Sequence, residues 1–374
     1  RETRLIEGDH VISVLDQIVG RTYRDLISVS QSAYDPHGYH TSDYVYAGLM
    51  PLTKHETKEG FVTYIPLRSL LPKGLDGIMV VGRSHSVTHD VQASVRMNAD
   101  LINEGYAAGC VAAQAAAAGA EPRKIDLAPI QDHLAQIGNI TEEDRRLRCV
   151  DTPEPTDDEL RAAAEDPRTK RQLAVLLRGG NRSLAPLQTS FQKDPTLPKA
   201  KVLCVLGDTT GVEFLIRWLN DHALVEGQDY QWDAFLSVTE ADSVMWLLGA
   251  ARDARAVSAL TAKLEDCSPG AACFSDVRAV TTALGRIGSP KAAPALYRFL
   301  SQDGVHGHVD VAGNPQSLKS EFFVKAYIEL HAAAALFRCG DHQDLGRRTL
   351  EGYLDDWRGI FVRYAGHTLE TKEY

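Results

Sequence analysis

The stretch "GIMVVGRSHSVTHDVQASVRMNADLINEGYAAGCVAAQAAAA" (residues 77–118) joins a short apolar run, a polar loop and a helix built largely of alanine. The run 77–82 is continuously apolar and ends in glycine, which is typical of a strand buried on both faces. We predict a helix that begins near residues 96–98 and ends at Gly119, with Pro122 just beyond. This order of strand, loop and helix indicates an α/β fold that presents a helix N-terminus to a ligand.

The N-terminus of such a helix carries unpaired backbone N–H groups and about half a positive charge. It therefore favours a phosphate, a carboxylate, or a carbonyl that becomes anionic during a reaction. The small side chains between Ala107 and Ala118 permit close approach of the backbone to a sheet or a flat cofactor. A well-packed buried helix of high alanine propensity is the alternative interpretation.

The character of the sequence changes at "VDTPEPTDDEL" (150–160), where proline, threonine and acids indicate a linker and the start of a helical region. Beyond it, related segments each follow an apolar helix and open another: "DTTGVEFL" (208–215), "DARAVSAL" (253–260), "SPKAAPAL" (289–296) and, more weakly, "DHQDLGRR" (341–348). The spacing and the helix–turn–helix content resemble HEAT-type repeats, which bury their apolar faces by stacking on neighbours. We therefore predict an all-α HEAT-like solenoid over residues 151–374.

The composition excludes several classes of protein. A net charge of −10 argues against a nucleic-acid-binding groove, and no apolar run approaches the roughly 20 residues of a membrane span. The six cysteines show no zinc spacing, and we predict no metal site. Nothing in the sequence identifies a cellular compartment.

A set of motifs in residues 1–138 resembles the C-terminal part of FAD-dependent oxidoreductases with a glutathione-reductase-type two-dinucleotide-binding fold. "RETRLIEGDHVI" (1–12) is similar to a stretch of that family, as is the Asp35-Pro36-His37 sequence. The positions from Tyr64 onward that match the family pattern are Tyr64, Pro66, Arg68, Leu71, Pro72, Gly82, Arg83, Ser86, His89, Ser94, Arg96, Gly105, Ala107, Ala108 and Gly109.

The resemblance implies a domain organisation. Residues 1–76 would form a β-rich substrate-domain portion, and residues 77–150 the C-terminal part of an FAD-binding domain. It also implies a cofactor site, for which the expected residues are Gly82, Arg83, Ser86, Ser94, Arg96, Met97 and Asn98. Reduction of a flavin builds negative charge on its pyrimidine edge, which a helix N-terminus and an arginine stabilise.

The predicted catalytic residues are His89, His85 and Arg96. His89 would accept a substrate proton, against the alternative of a histidine packed in the loop before the helix. Arg96 would pair with the flavin or an anionic substrate, against the alternative of a structural salt bridge. The predicted substrate-binding residues are Arg1, Arg4, Tyr34, His37 and Arg68. The alternatives are a solvated polar loop for Tyr34 and His37 and a structural role for Arg68.

The sequence departs from the family pattern in three respects. His85 replaces a usual apolar residue, Ala93 replaces a glycine, and no GxGxxG element is present to hold the ADP half of FAD. We therefore expect an FAD-dependent oxidoreductase that transfers a hydride from a small polar substrate to flavin. Its N-terminal FAD-binding half would be a separate or cleaved polypeptide. The alternative is a non-catalytic scaffold whose solenoid binds a protein partner.

Overall fold

The computed structural model describes residues 5–32, 41–46, 62–224, 238–268 and 274–371. The predicted substrate-binding residues Arg1, Arg4, Tyr34 and His37 lie outside the described residues. The chain divides into two compact units: the first comprises the described parts of 1–45, 49–160 and 169–179, and the second comprises 46, 161–168 and the described residues from 180 onward.

The described secondary structure is mostly helical. Up to residue 179 the elements are α1 (Val14–Val19), β1 (Leu26–Ser30), α2 (Asp43–Tyr46), β2 (Thr63–Pro66), α3 (His89–Val95), α4 (Asn98–Ala118), α5 (Ala128–Gln136), α6 (Glu142–Arg148), α7 (Asp157–Glu165) and α8 (Lys170–Gly179). The remaining helices are α9 (Leu184–Lys193), α10 (Leu197–Val205), α11 (Val212–Asp221), α12 (Glu240–Ala250), α13 (Val257–Glu265), α14 (Phe274–Ile287), α15 (Ala293–Leu300), α16 (Ser320–Arg338), α17 (Leu345–Gly352) and α18 (Gly359–Thr371).

The strands β1 and β2 pair antiparallel, with Val29 opposite Tyr64 and Ser30 opposite Thr63. All their residues are buried, and they share a core with one face of α4 and with α5. Within the described residues of 1–76 these are the only strands, so the predicted β-rich portion is not supported.

Capping explains part of this difference. The segment after Ile12 is rich in β-branched residues, but Ser13 and Asp16 form a capping box and Gly20 ends α1 in the left-handed region. These reciprocal hydrogen bonds satisfy the exposed N–H groups of the first turn, which favours a helix over a strand.

The prediction of a buried strand at residues 77–82 was wrong. Ile78 and Val81 are 51% and 42% exposed, and the segment belongs to no strand. Its backbone contact with the core is the hydrogen bond from the Val80 N–H to the Leu70 carbonyl, at 2.8 Å. An apolar run becomes a buried strand only where neighbouring strands pair with it and helices cover it. Among the described residues the one sheet is formed by β1 and β2.

The bounds predicted for the alanine-rich helix are confirmed. The helix α4 starts at Asn98 and ends before Gly119, whose φ of 57° places it in the left-handed region. Its buried side chains recur every three or four residues, at Glu104, Ala107, Ala108, Val111 and Ala115, and this face packs against β1. The opposite face is exposed, including Ile102 at 70%. The helix is therefore amphipathic, and alanine on its inner face allows the close approach to β1.

The second unit contains the predicted helix–turn–helix pairs: α10 with α11, α12 with α13, α14 with α15, and α16 with α17. Aspartates in the turns explain part of the repeated sequence pattern. Asp208 and Asp253 each accept a hydrogen bond from a backbone N–H in the turn before the next helix, and Asp341 accepts one from Gly346 in the first turn of α17. Consecutive first helices approach closely, because a Cβ on Gly249 of α12 would lie 2.4 Å from the Cα of Ala283 in α14. No helix in the described parts of either unit has the length and apolarity that crossing a membrane requires.

Candidate functional site

The segment that joins residue 82 to α4 is held by hydrogen bonds from the backbone of residues 8–12. The Ser86 hydroxyl accepts a hydrogen bond from the Gly8 N–H at 2.9 Å, and the Ser86 carbonyl accepts one from the Ile12 N–H at 3.0 Å. A Cβ on Gly8 would lie 2.8 Å from the Cβ of Ser86, so only glycine allows this approach. Ser86 itself is fully buried, and its hydroxyl is used within the protein.

Ser94 is held in a similar way at the end of α3. Its hydroxyl accepts a hydrogen bond from the Gln17 amide at 2.6 Å and donates one to the Val91 carbonyl at 3.0 Å. Its carbonyl accepts a bond from the Ser30 hydroxyl at 2.7 Å. The two predicted cofactor-binding serines, Ser86 and Ser94, therefore shape the segment through protein contacts.

His89 and Arg96 lie at opposite ends of α3. The expectation that His89 sits in a loop was wrong, because it is the first residue of this helix. Val91 and Val95, four residues apart, bury one face of α3 and stabilise the short helix through packing. Arg96 is the C-cap residue of α3 and is half-buried. Both His89 and Arg96 have interaction partners in the protein.

His85 and Glu104 form a buried pair that the sequence analysis did not identify. The His85 Nδ1 lies 2.6 Å from one Glu104 carboxylate oxygen, and the Gly82 N–H donates to the other at 2.8 Å. The side chains of His85 and Glu104 are 1% and 3% exposed. A signal for Glu104 was present, since it shares the spacing of the buried face of α4 and is the charged residue there.

The 2.6 Å separation of His85 Nδ1 and the Glu104 carboxylate is a hydrogen bond, so one of the two atoms carries the shared proton, because two acceptors would repel each other. The Nε2 atom is buried and has no hydrogen-bond partner in the described part of the chain. Since buried polar atoms are almost always hydrogen-bonded, this nitrogen, together with Thr88 Oγ1 and Gln92 Oε1 of the same segment, indicates a ligand or water beside the segment.

The N-terminus of α4 has no side-chain cap, and a carboxylate in its first turn offsets part of its positive charge. The side chain of Met97, the N-cap residue, makes no capping hydrogen bond, and Asn98 is exposed. Asp100 in the first turn accepts bonds from the Gln31 N–H and the Ser32 hydroxyl. Its carboxylate offsets part of the positive end of the helix.

Gly82 and Arg83 form a short turn before this segment. Gly82 has a φ of 76°, and a Cβ there would have nothing within 4 Å, so open space faces it. Arg83 is exposed, and its carbonyl accepts a hydrogen bond from the Gln92 amide at 2.7 Å. The turn and His85 therefore both contact α4 at Glu104, in the second turn of the helix.

Arg68, a predicted substrate-binding residue, lies in a different cleft. It makes a bidentate ion pair with Asp25, with Nη2–Oδ1 at 2.9 Å and Nε–Oδ2 at 3.0 Å. These hydrogen bonds raise the pKa of Arg68 above its usual value. That cleft is lined by Arg24, Arg123 and Asp151, among others, and by no residue of the segment 82–98.

Comparison with known proteins identifies two regions. Residues 1–134 match the family model described as FAD dependent oxidoreductase, and residues 277–302 match that of the PBS lyase HEAT-like repeat. The second match covers α14 and α15, the helix pair predicted from "SPKAAPAL". No curated protein matches the chain. Both predicted resemblances are confirmed: the chain joins a region similar to FAD-dependent oxidoreductases to a helical region with a HEAT-like repeat.

Proposed function

We propose that the chain contributes part of the flavin site of an FAD-dependent oxidoreductase that acts on a small polar substrate. The observation that carries this proposal is the family match over residues 1–134, which includes the whole segment from Gly82 to the end of α4. When bound, FAD would supply the acceptor for a hydride removed from the substrate.

Three features of the segment fit such a group. The buried His85 Nε2 lacks a partner among the described residues, the space beside Gly82 is open, and no side chain caps α4 at Met97. The positive end of α4 and Arg96 would stabilise negative charge on the flavin, with Met97 and Asn98 at the contact. Gly82 and Arg83 would border the phosphate or ribityl chain.

The histidines have distinct roles in the proposal. Glu104 orients His85 through Nδ1, and in the proposal Nδ1 donates to Glu104 while Nε2 accepts a hydrogen bond from the ligand. His89, at the start of α3, would face the substrate. Arg1, Arg4, Tyr34 and His37 remain proposed substrate ligands on the basis of the resemblance. Tight FAD binding would require a GxGxxG element from outside the 374 residues.

Absorption spectroscopy of the native protein, followed by mass spectrometry of the intact sample, tests this proposal. We expect oxidised-flavin absorption, release of FAD on denaturation and a copurifying polypeptide that carries the phosphate-binding glycines. The variant Gly82→Val should lose FAD, because its side chain enters the open space. Gly74→Val is the matched control: Gly74 also has a φ of 76° with nothing within 4 Å, so both variants carry the same backbone strain.

The alternative function is a non-catalytic scaffold that binds a partner through the helical repeats, which the match over residues 277–302 favours. A native protein without flavin would contradict the oxidoreductase proposal and support the scaffold. Equal FAD content in the Gly82→Val and Gly74→Val variants would contradict the placement of the cofactor at Gly82.

A further inference from the structure

A cleft of about 620 Å³ lies in the first unit, apart from the segment 82–98. Its volume falls in the range of small-molecule sites in proteins. The side chains of Leu67, Leu71 and Ile125 form an apolar wall, and arginines and aspartates complete the lining. We define it here as the Arg24–Arg68 cleft.

Two arginines of the cleft have unused hydrogen-bond donors. Arg24 bonds Asp151 through Nε, at 2.8 Å, while its Nη1 and Nη2 donate no hydrogen bond within the described chain. Arg68 uses Nε and Nη2 on Asp25 and lies 3.5 Å from Asp151, and its Nη1 likewise has no acceptor among the described residues. Asp25 therefore holds the Arg68 guanidinium in a bidentate pair, whereas Arg24, whose side chain is 78% exposed, pairs with Asp151 through Nε alone. Both arginines keep donors available to a ligand.

The third arginine of the cleft, Arg123, has no nitrogen left without an acceptor, unlike Arg24 and Arg68. All three nitrogens of Arg123 are engaged, by Asp9, by Asp76 and by the carbonyls of Leu75 and Pro72. Arg123 therefore ties chain segments together, and the donors available to a ligand are those of Arg24 and Arg68.

The charge balance narrows the class of ligand. Three arginines and three aspartates line the cleft, so it has no net charge to attract a multiply charged phosphate. A single carboxylate matches the planar guanidinium donors, and an apolar body matches the wall. We propose that the Arg24–Arg68 cleft binds a small monocarboxylate with an apolar body. The cleft shares no residue with the segment 82–98 that the flavin proposal uses.

Calorimetric titration of the full chain with 4-phenylbutyrate tests the site, and the neutral 4-phenylbutyramide provides the matched probe. We expect saturable binding of the carboxylate and at least about tenfold weaker binding of the amide, since charged hydrogen bonds are lost. Equal affinities of the two probes, or no saturable binding of the carboxylate, would overturn the proposal.

Substitution locates the binding. Arg24→Gln should weaken 4-phenylbutyrate binding about tenfold. Arg168→Gln should leave it unchanged, because Arg168 is equally exposed and pairs with Asp166 through Nε at the same 2.8 Å, outside the cleft. Ile125→Trp should also abolish binding by filling the cleft while Arg24 is retained. Wild-type affinity in Arg24→Gln or in Ile125→Trp would refute the assignment. FAD content is unaffected by either result, so this proposal and the flavin proposal fail separately.

Discussion

At the residue scale, the pair formed by His85 and Glu104 supports the segment that precedes α4. Replacing Glu104 by glutamine removes the charge beside His85 and one of the two acceptor oxygens. The remaining carbonyl oxygen can serve either His85 Nδ1 or the Gly82 N–H, and the amide NH2 then faces the other donor. We expect Glu104→Gln to lower the free energy of local opening by about 2–4 kcal/mol. Hydrogen exchange of the Gly82 amide, which donates to Glu104, measures this loss directly.

Glu142→Gln is the control for this substitution. Glu142 pairs with Arg146 on α6, where both side chains are more than half exposed, so its loss should change the same readout by less than about 0.5 kcal/mol. Equal protection of the Gly82 amide in Glu104→Gln and in the wild type would show that the carboxylate does not hold the turn.

A second prediction at the residue scale concerns the pH dependence of stability. Burial and the neighbouring Asp242 raise the pKa of Asp276 from 3.8 to about 8. The folded state then keeps a proton that the unfolded state has lost, so stability falls as pH rises from about 4 to about 8. His331 has the opposite effect, since burial lowers its pKa from 6.5 to about 3, and it reduces stability only as pH falls below 6.5.

Between pH 6.5 and 8 the slope should therefore come from Asp276 and reach at most about 1.4 kcal/mol per pH unit. Urea unfolding followed by tryptophan fluorescence measures it in the second unit, where Trp246 is buried. Asp276→Asn should flatten this dependence. An unchanged slope in the variant would contradict the assignment.

At the element scale, the packing of α12 on α14 depends on Gly249. Alanine there would bring its Cβ to 2.4 Å from the Ala283 Cα, so the helices must separate. We expect Gly249→Ala to destabilise the pair by about 1–3 kcal/mol, measured by hydrogen exchange of α12 amides.

Gly109 in α4 provides the opposite case. It is exposed, and a Cβ there would have nothing within 4 Å. Gly109→Ala should therefore stabilise α4 by about 0.5–1 kcal/mol, because alanine loses less backbone entropy in a helix. A stabilising Gly249→Ala together with a destabilising Gly109→Ala would contradict the close approach of α12 and α14.

At the scale of the whole molecule, the first compact unit includes a helix that lies beyond the linker sequence. The helix α8 packs on α1, and Leu173 and Leu177 are buried. A fragment that ends at residue 179 should therefore resist proteolysis longer than one that ends at residue 160, which exposes the apolar surface of α1. The full-length chain serves as reference, and equal cleavage rates of the two fragments would refute the role of α8.

Much of the architecture was predictable because its signals are local. The bounds of α4, the start of α7 after "VDTPEPT" and the turns before α11, α13, α15 and α17 rest on caps, glycines and periodicity within a few residues. The flavoenzyme resemblance likewise rests on ordered motifs that the family match confirms. The positions of the individual site residues stay predictions.

Burial and side-chain pairing depend on residues distant in the chain, so they became clear only in the folded structure. The apolar run 77–82 has the composition of a buried strand, yet it lies exposed because the described residues provide no strand beside it. Arg68 was expected at the same substrate site as the residues near the flavin segment, but it lies in a separate cleft, where Asp25 binds its Nε and Nη2. His85 is oriented by Glu104, which lies in the second turn of α4 and 19 residues further along the chain. The helix α4 and the paired helices of the repeats follow from the sequence alone, since caps and periodicity join near neighbours. The short helices α1 and α3, and the side chains that meet, depend on folding, because burial and pairing are properties of the assembled chain.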